Sequence, residues 1–174
     1  MGGTDGIANG LRFALVLVLQ VLVLRQINVV LGDATYLSVT ITPVFLAALP
    51  LRTPRPLVVI LGFLLGLGTD LFYESLGVHM AAGTLTGYAR GFILTLVEPK
   101  EGFKTSSRSG GLSLPLQWWM AYTALMLGVY LLWYFGMEAF SPVFWRQILG
   151  KFALSLPVSW LVSMVLVTLL RPRL

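Results

Sequence analysis

Apolar residues in this chain gather into long runs separated by short polar or charged stretches. The runs predict helical membrane spans over about 11–31, 36–51, 56–72, 78–97, 116–136 and 152–170. Residues 142–151 (PVFWRQILGK) precede the last span and predict a separate interfacial helix, with Ser141 and Pro142 as its N-cap and first residue. Pro157 is expected to kink the last crossing. The second run is the weakest: 16 residues of helix reach about 24 Å, short of a 30 Å hydrocarbon core. It also contains Ser38, Thr40, Thr42 and Pro43, so a bent or partly unwound span is expected, its freed backbone groups bonded by nearby hydroxyls. The first run could be read as a secretory signal peptide, but no small-residue cleavage site follows it and further spans do.

Composition agrees with a membrane solvent. The chain has 174 residues, of which 57% are hydrophobic and 11% charged, and mean hydropathy is +0.86. Six spans use roughly 120 residues and leave little for a separate soluble domain, so one polytopic domain over 1–174 is expected. The absence of cysteine excludes a disulfide framework, a thiolate metal site and a cysteine nucleophile.

The net charge of +5 does not indicate nucleic acid, because the basic residues cluster between apolar runs. With both termini cytoplasmic, the inner loops hold Arg12, Arg52, Arg55, Lys100, Lys104, Arg108, Arg171 and Arg173, against Arg25, Arg146 and Lys151 outside. Trp118 and Trp119 then fall at the inner interface, and Trp133, Tyr134 and Trp145 at the outer one.

Gly62 and Gly66 lie four apart and are followed by Asp70, and Gly83, Gly87 and Gly91 repeat that spacing on the next span. Residues four apart share a helix face, and glycine there lets backbones approach closely. Two uses remain open: the third and fourth spans pack on each other, or one glycine face docks a partner's helix. Asp70 ends its helix, where the macrodipole disfavours an anion. Its carboxylate is expected to fold over the short turn and accept hydrogen bonds from free N–H groups that start the next helix near Gly77 and Val78. The alternative, an acid–base or metal role with Glu74, lacks a ligand set. The single histidine, His79, is expected as a wetted interfacial side chain. Gln20 is expected in an interhelical hydrogen bond, and the stretch Glu98–Ser113 as a flexible solvated linker. Arg90 is the one base well inside a span; it either snorkels or pairs with an anionic lipid or a partner's acid. No phosphate loop, nucleophile elbow, zinc motif or dinucleotide fingerprint is present in the sequence, so no catalytic, cofactor or metal residues are assigned.

The run Gly62-Phe63-x-x-Gly66-x-x-x-Asp70-Leu71, followed by Leu76-Gly77-Val78 and Tyr88, resembles the MreD family of bacterial rod shape-determining proteins. The pair Leu19-Gln20, the stretch Ala48-Leu49-Pro50-x-Arg52, and Pro157 with the basic end are similar as well. The resemblance implies a non-enzymatic scaffold or regulator of lateral peptidoglycan synthesis in the bacterial plasma (inner) membrane. It implies direct association with the bitopic protein MreC, beside MreB, the transpeptidase PBP2 and the glycosyltransferase RodA. It also implies a fold similar to the S components of energy-coupling-factor transporters. That similarity supplies an alternative function, vitamin-type ligand binding. Such S components dock through an Ala-x-x-x-Ala-type face, which Ala8 and Ala14 do not form.

Overall fold

The structure is a computed structural model, and it describes residues 3–27, 29–31, 34–51, 53–75, 77–99, 115–139 and 142–170. The described chain is helical apart from one small ribbon. Helix α1 spans Gly3–Leu22 and passes through a 3-10 turn at Leu24–Ile27 into β1 (Val29–Leu31). β1 pairs antiparallel with β2 (Ala34–Leu37). A short helix α2 (Thr42–Ala48) follows, then α3 (Arg55–Tyr73), α4 (Val78–Leu96), α5 (Leu116–Ala139) and α6 (Trp145–Leu170). The expected linker Glu98–Ser113 and Ser141 fall mainly or wholly outside the described residues.

Among the described residues three helical stretches are long and apolar enough to cross a membrane: Arg55–Tyr73, Leu116–Ala139 and Trp145–Leu166. Large apolar side chains such as Ile60, Leu71, Phe72, Phe92, Leu132 and Leu161 point outward. Glutamine, threonine, serine, histidine and arginine side chains are buried inside. A surface that apolar, over a hydrophobic core that also holds hydrogen-bonded polar groups, matches a lipid solvent.

Neighbouring helices pack in sequence, α3 on α4, α4 on α5 and α5 on α6, while α1 packs on α3. The short α2 sits in the middle and touches α1, α3, α4, α5 and α6. Its residues Thr42 to Ala47 are all buried. Pro43 lies in its first turn, where a missing N–H is harmless.

Three of the expected boundaries are corrected. The first span does not run to residue 31: its helix stops at Leu22, and the β-branched Val29-Val30 pair enters the ribbon. The second run, 36–51, is not a helical span but β2, a non-helical stretch at Ser38–Ile41 and the buried α2. Residues 142–151 form no separate interfacial helix. A 3-10 turn at Pro142–Phe144 leads into the continuous α6, with Pro157 inside it. At 1.5 Å per residue the 26 residues of α6 reach about 39 Å, longer than a bilayer core.

Candidate functional site

The α3–α4 pair is built on backbone-to-backbone contact. A Cβ added to Gly62 would overlap the Gly83 carbonyl oxygen, and one on Gly83 would overlap the Gly62 carbonyl. A Cβ on Gly66 would meet the backbone of His79 and Met80, and one on Gly87 would lie 2.9 Å from the Val58 oxygen. These four glycines therefore face each other's helices within the chain and are not open to a partner's helix. Gly91 differs: the nearest atom to its added Cβ is the Arg55 Nε, at 3.0 Å.

The turn joining the two helices is closed by Asp70. Helix α3 ends on Glu74, whose φ of 55° is left-handed, and α4 begins after Gly77 at φ 82°. The second of these is a conformation glycine adopts without steric penalty. Together they reverse the chain within four residues, which brings the last turn of α3 beside the free N–H groups of α4. Asp70 Oδ1 accepts from the His79 N–H at 3.0 Å and Oδ2 from the Met80 N–H at 2.8 Å. The Ser75 hydroxyl also donates to Oδ1. The carboxylate thus caps α4 at His79 and Met80, two residues further on than Gly77 and Val78. Its charge sits at the negative end of one helix dipole but directly on the positive end of the next. Glu74 is exposed and contributes nothing to this cap.

A polar core lies behind the clamp. His79 is 1% exposed and not a wetted interfacial group. Its Nδ1 is 2.8 Å from the Tyr130 hydroxyl, and its ring packs against Tyr73 and Tyr134. The reason is helical phase: the first turn of α4 faces α3 and α5 because Gly66 admits its backbone so closely. His79 Nε2 is buried without a hydrogen-bond partner.

Gln20 reaches across the bundle as expected, but chiefly to backbone. Its Nε2 donates to the Val39 carbonyl at 3.2 Å and to the Tyr73 hydroxyl at 3.1 Å. Its Oε1 accepts from the Ile41 N–H at 2.8 Å. On the other side of the non-helical stretch, Ser155 Oγ accepts from the Ser38 N–H and Ser159 Oγ from the Thr40 N–H, both at 3.1 Å. Non-helical backbone inside an apolar bundle needs such partners, because no water is there to supply them. Sequence reasoning missed Ser155 and Ser159. The signal was present in the spacing Ser155-x-x-x-Ser159-x-x-x-Ser163, which lines one face of α6 with hydroxyls.

At the opposite end of α4, Arg90 is 3% exposed and does not snorkel. Its Nη2 donates to the Leu49 and Pro50 carbonyls at 2.7 and 3.1 Å, and its Nε to the Tyr122 hydroxyl at 3.1 Å. Those carbonyls end α2, where a cation is favoured both as donor and by the dipole. Trp118 and Trp119 are buried, not belted at an interface: Trp118 stacks on Tyr122, and its indole N–H donates to the Val97 carbonyl at the end of α4.

Gly62, Gly66, Asp70, Gly77, Gly83 and Gly87 are thus gathered into one clamped helix pair, whereas Arg90 and Gly91 belong to a second locality beside the end of α2. Among the described residues no three histidine, aspartate or glutamate side chains cluster as a metal site would require. No protein-family model, curated protein or solved structure matches the chain.

Proposed function

We propose that the chain is a non-enzymatic scaffold of the MreD type in the bacterial plasma membrane, acting in cell elongation by holding MreC beside MreB, PBP2 and RodA. In this reading α1, α3, α4, α5 and α6 cross the bilayer, α2 and its extended approach complete the second of six passages, and both termini are cytoplasmic. The arrangement is then similar to an energy-coupling-factor S component without its ligand.

The observation that carries the proposal is the fate of the residues on which the family resemblance rests. Gly62, Gly66, Asp70 and Gly77 serve one another within the α3–α4 clamp. Tyr88 lies outside that unit: like Leu71 of the same run it is exposed, at 75% on the outward side of α4, eleven residues into a 19-residue helix, and it alone of the two carries a polar tip. A phenol directed into lipid at that depth lacks a partner for its hydroxyl, and aromatic residues with a polar tip are common anchors at interfaces. A rigid helix pair presenting Tyr88, with Phe92 one turn on and also exposed, suits capture of a single-span partner. Such a scaffold works by contact geometry and needs no reacting groups.

The vitamin-binding alternative calls for polar groups converging on a pocket. Gln20 and the threonine-rich stretch hydrogen-bond each other and the surrounding backbone instead, which favours the scaffold. Detergent co-purification from native membranes tests the choice. Recovery of MreC with the wall synthases, lost in Tyr88→Ala while the protein remains folded, is the expected result. Recovery of transporter ATPase subunits, or tight binding of a vitamin by the purified protein, would overturn it.

A further inference from the structure

Arg90 and Arg55 line one cavity of about 300 Å³, together with Thr53, Val58, Gly87 and Gly91. The two cations arrive from different elements, Arg55 as the first residue of α3 and Arg90 from the last two turns of α4. Gly91 makes the approach possible, since a Cβ there would crowd the Arg55 guanidinium. Arg90 is nearly fully buried, yet it uses only Nε and Nη2 toward the protein. Its Nη1, with two further donors, has no protein partner among the described residues. Neither arginine is in an ion pair there; the pair found among the described residues is Lys151–Glu138.

Two like charges lining one partly enclosed cavity repel, and low dielectric strengthens that repulsion. Capping of α2 explains Nε and Nη2 of Arg90, but not why a second guanidinium is brought to the same cavity or why Nη1 is left over. An anion with several acceptor oxygens accounts for both, and a guanidinium's planar set of donors suits phosphate. Leu51 and Leu94 also line the cavity, which gives the ligand an apolar flank.

We propose that this cavity is a phosphate-binding site, in which Arg55 and Arg90 hold the phosphate of an anionic phospholipid headgroup or of a soluble phosphate compound. The inference is independent of the scaffold assignment. It assigns the free donors of Arg90 to the ligand and gives Gly91 a role distinct from that of the four seam glycines.

The test uses the full-length protein in detergent doped with phosphatidylglycerol or phosphatidylcholine, read by native mass spectrometry. The expected result is preferential retention of phosphatidylglycerol. Arg55→Gln, an exposed change that leaves the α2 cap intact, should reduce retention about tenfold, the scale of one lost charge-assisted hydrogen bond. Arg90→Gln should do the same where it folds. If excess inorganic phosphate leaves phosphatidylglycerol in place, the headgroup is the ligand. If it displaces the lipid and itself raises the melting temperature of the wild type but not of Arg55→Gln, the source is soluble. Equal retention of the two lipids with no effect of phosphate, or wild-type behaviour of Arg55→Gln in both arms, would overturn the proposal.

Discussion

Gly62 and Gly83 face each other so closely that a methyl group on either would overlap the carbonyl oxygen of the other. The obstacle is backbone on both sides, so no side-chain rotation can relieve it. Gly62→Ala and Gly83→Ala should each destabilise the protein by at least about 1–3 kcal/mol, the usual range for overpacking. Gly136→Ala is the control, because its Cβ would meet nothing within 4 Å inside α5. It should be neutral or stabilise by roughly 0.5–1 kcal/mol through helix propensity. Reversible unfolding in mixed micelles measures all three. Equal stability of Gly62→Ala and Gly136→Ala would refute close backbone packing as the basis of the pair.

The Asp70 clamp predicts a graded series. Asp70→Asn keeps one carbonyl acceptor but loses the charge and turns an amide N–H toward one of the two backbone donors. Asp70→Ala removes both acceptors from the His79 and Met80 N–H groups. Hydrogen bonds to a charged group contribute about 1.5–3 kcal/mol each, so Ala should be the more damaging of the two. Ser75→Ala should cost least, because the two backbone bonds remain. Amide hydrogen exchange at His79 and Met80 reports the cap locally. Unchanged protection of both amides in Asp70→Ala would mean that the α4 N-terminus is held by something else.

The α3–α4 unit was legible in the sequence because glycine spacing, a short turn and a carboxylate at a helix end are all local signals. Asp70 reads as a cap for a physical cause, since its own helix dipole opposes it. What the sequence concealed depends on distant partners. The stretch 36–51 reads as one weak span, yet Ser38–Ile41 stays out of a helix, with hydroxyls 117 and 119 residues further along bonding the Ser38 and Thr40 amides. Hydropathy weighs each residue alone and cannot register that pairing. His79 looked wetted because it starts a helix next to a turn. Its burial follows from the closeness of Gly66 to its backbone and from Tyr130, 51 residues away. The Val29–Leu37 ribbon had a readable signal in the Gly32-Asp33 dipeptide between β-branched runs. The apolar content around that dipeptide masks it as the end of a span.

The non-helical stretch supplies the third prediction. Gln20→Leu preserves approximate volume but takes the acceptor from the Ile41 N–H inside the bundle and one donor from the Val39 carbonyl. An orphaned buried donor costs about 1–3 kcal/mol, so a loss of at least that size is expected. Ser155→Ala with Ser159→Ala should act on the same stretch from α6, with a loss of similar size per lost acceptor. The triple variant should lose less than the sum, because Ser38–Ile41 detaches as one segment. Unfolding free energies of the single, double and triple variants decide it; strict additivity would mean that the two helices hold independent segments.

Arg90 and Tyr122 allow the balance between burial and bonding to be measured. Burying a guanidinium is expensive, and replacing a buried ion by an apolar residue of similar volume can be neutral or even stabilising. Here the partners are two carbonyls and a hydroxyl, which stay behind when the cation leaves. Arg90→Met should therefore destabilise, by about 1–3 kcal/mol for the Leu49 carbonyl left unbonded, reduced by the relief of desolvation, while the Pro50 carbonyl keeps its bonds from the Thr53 N–H and hydroxyl. Tyr122→Phe removes only the acceptor for Nε and should cost about 1.5–3 kcal/mol, the contribution of a hydrogen bond to a charged group. In the double variant the Tyr122 bond is already absent, so the cycle isolates that single bond from the carbonyl contacts. A coupling of about 1.5–3 kcal/mol is expected. Coupling near zero would mean that Arg90 is held by the end of α2 alone, with Tyr122 a packing neighbour.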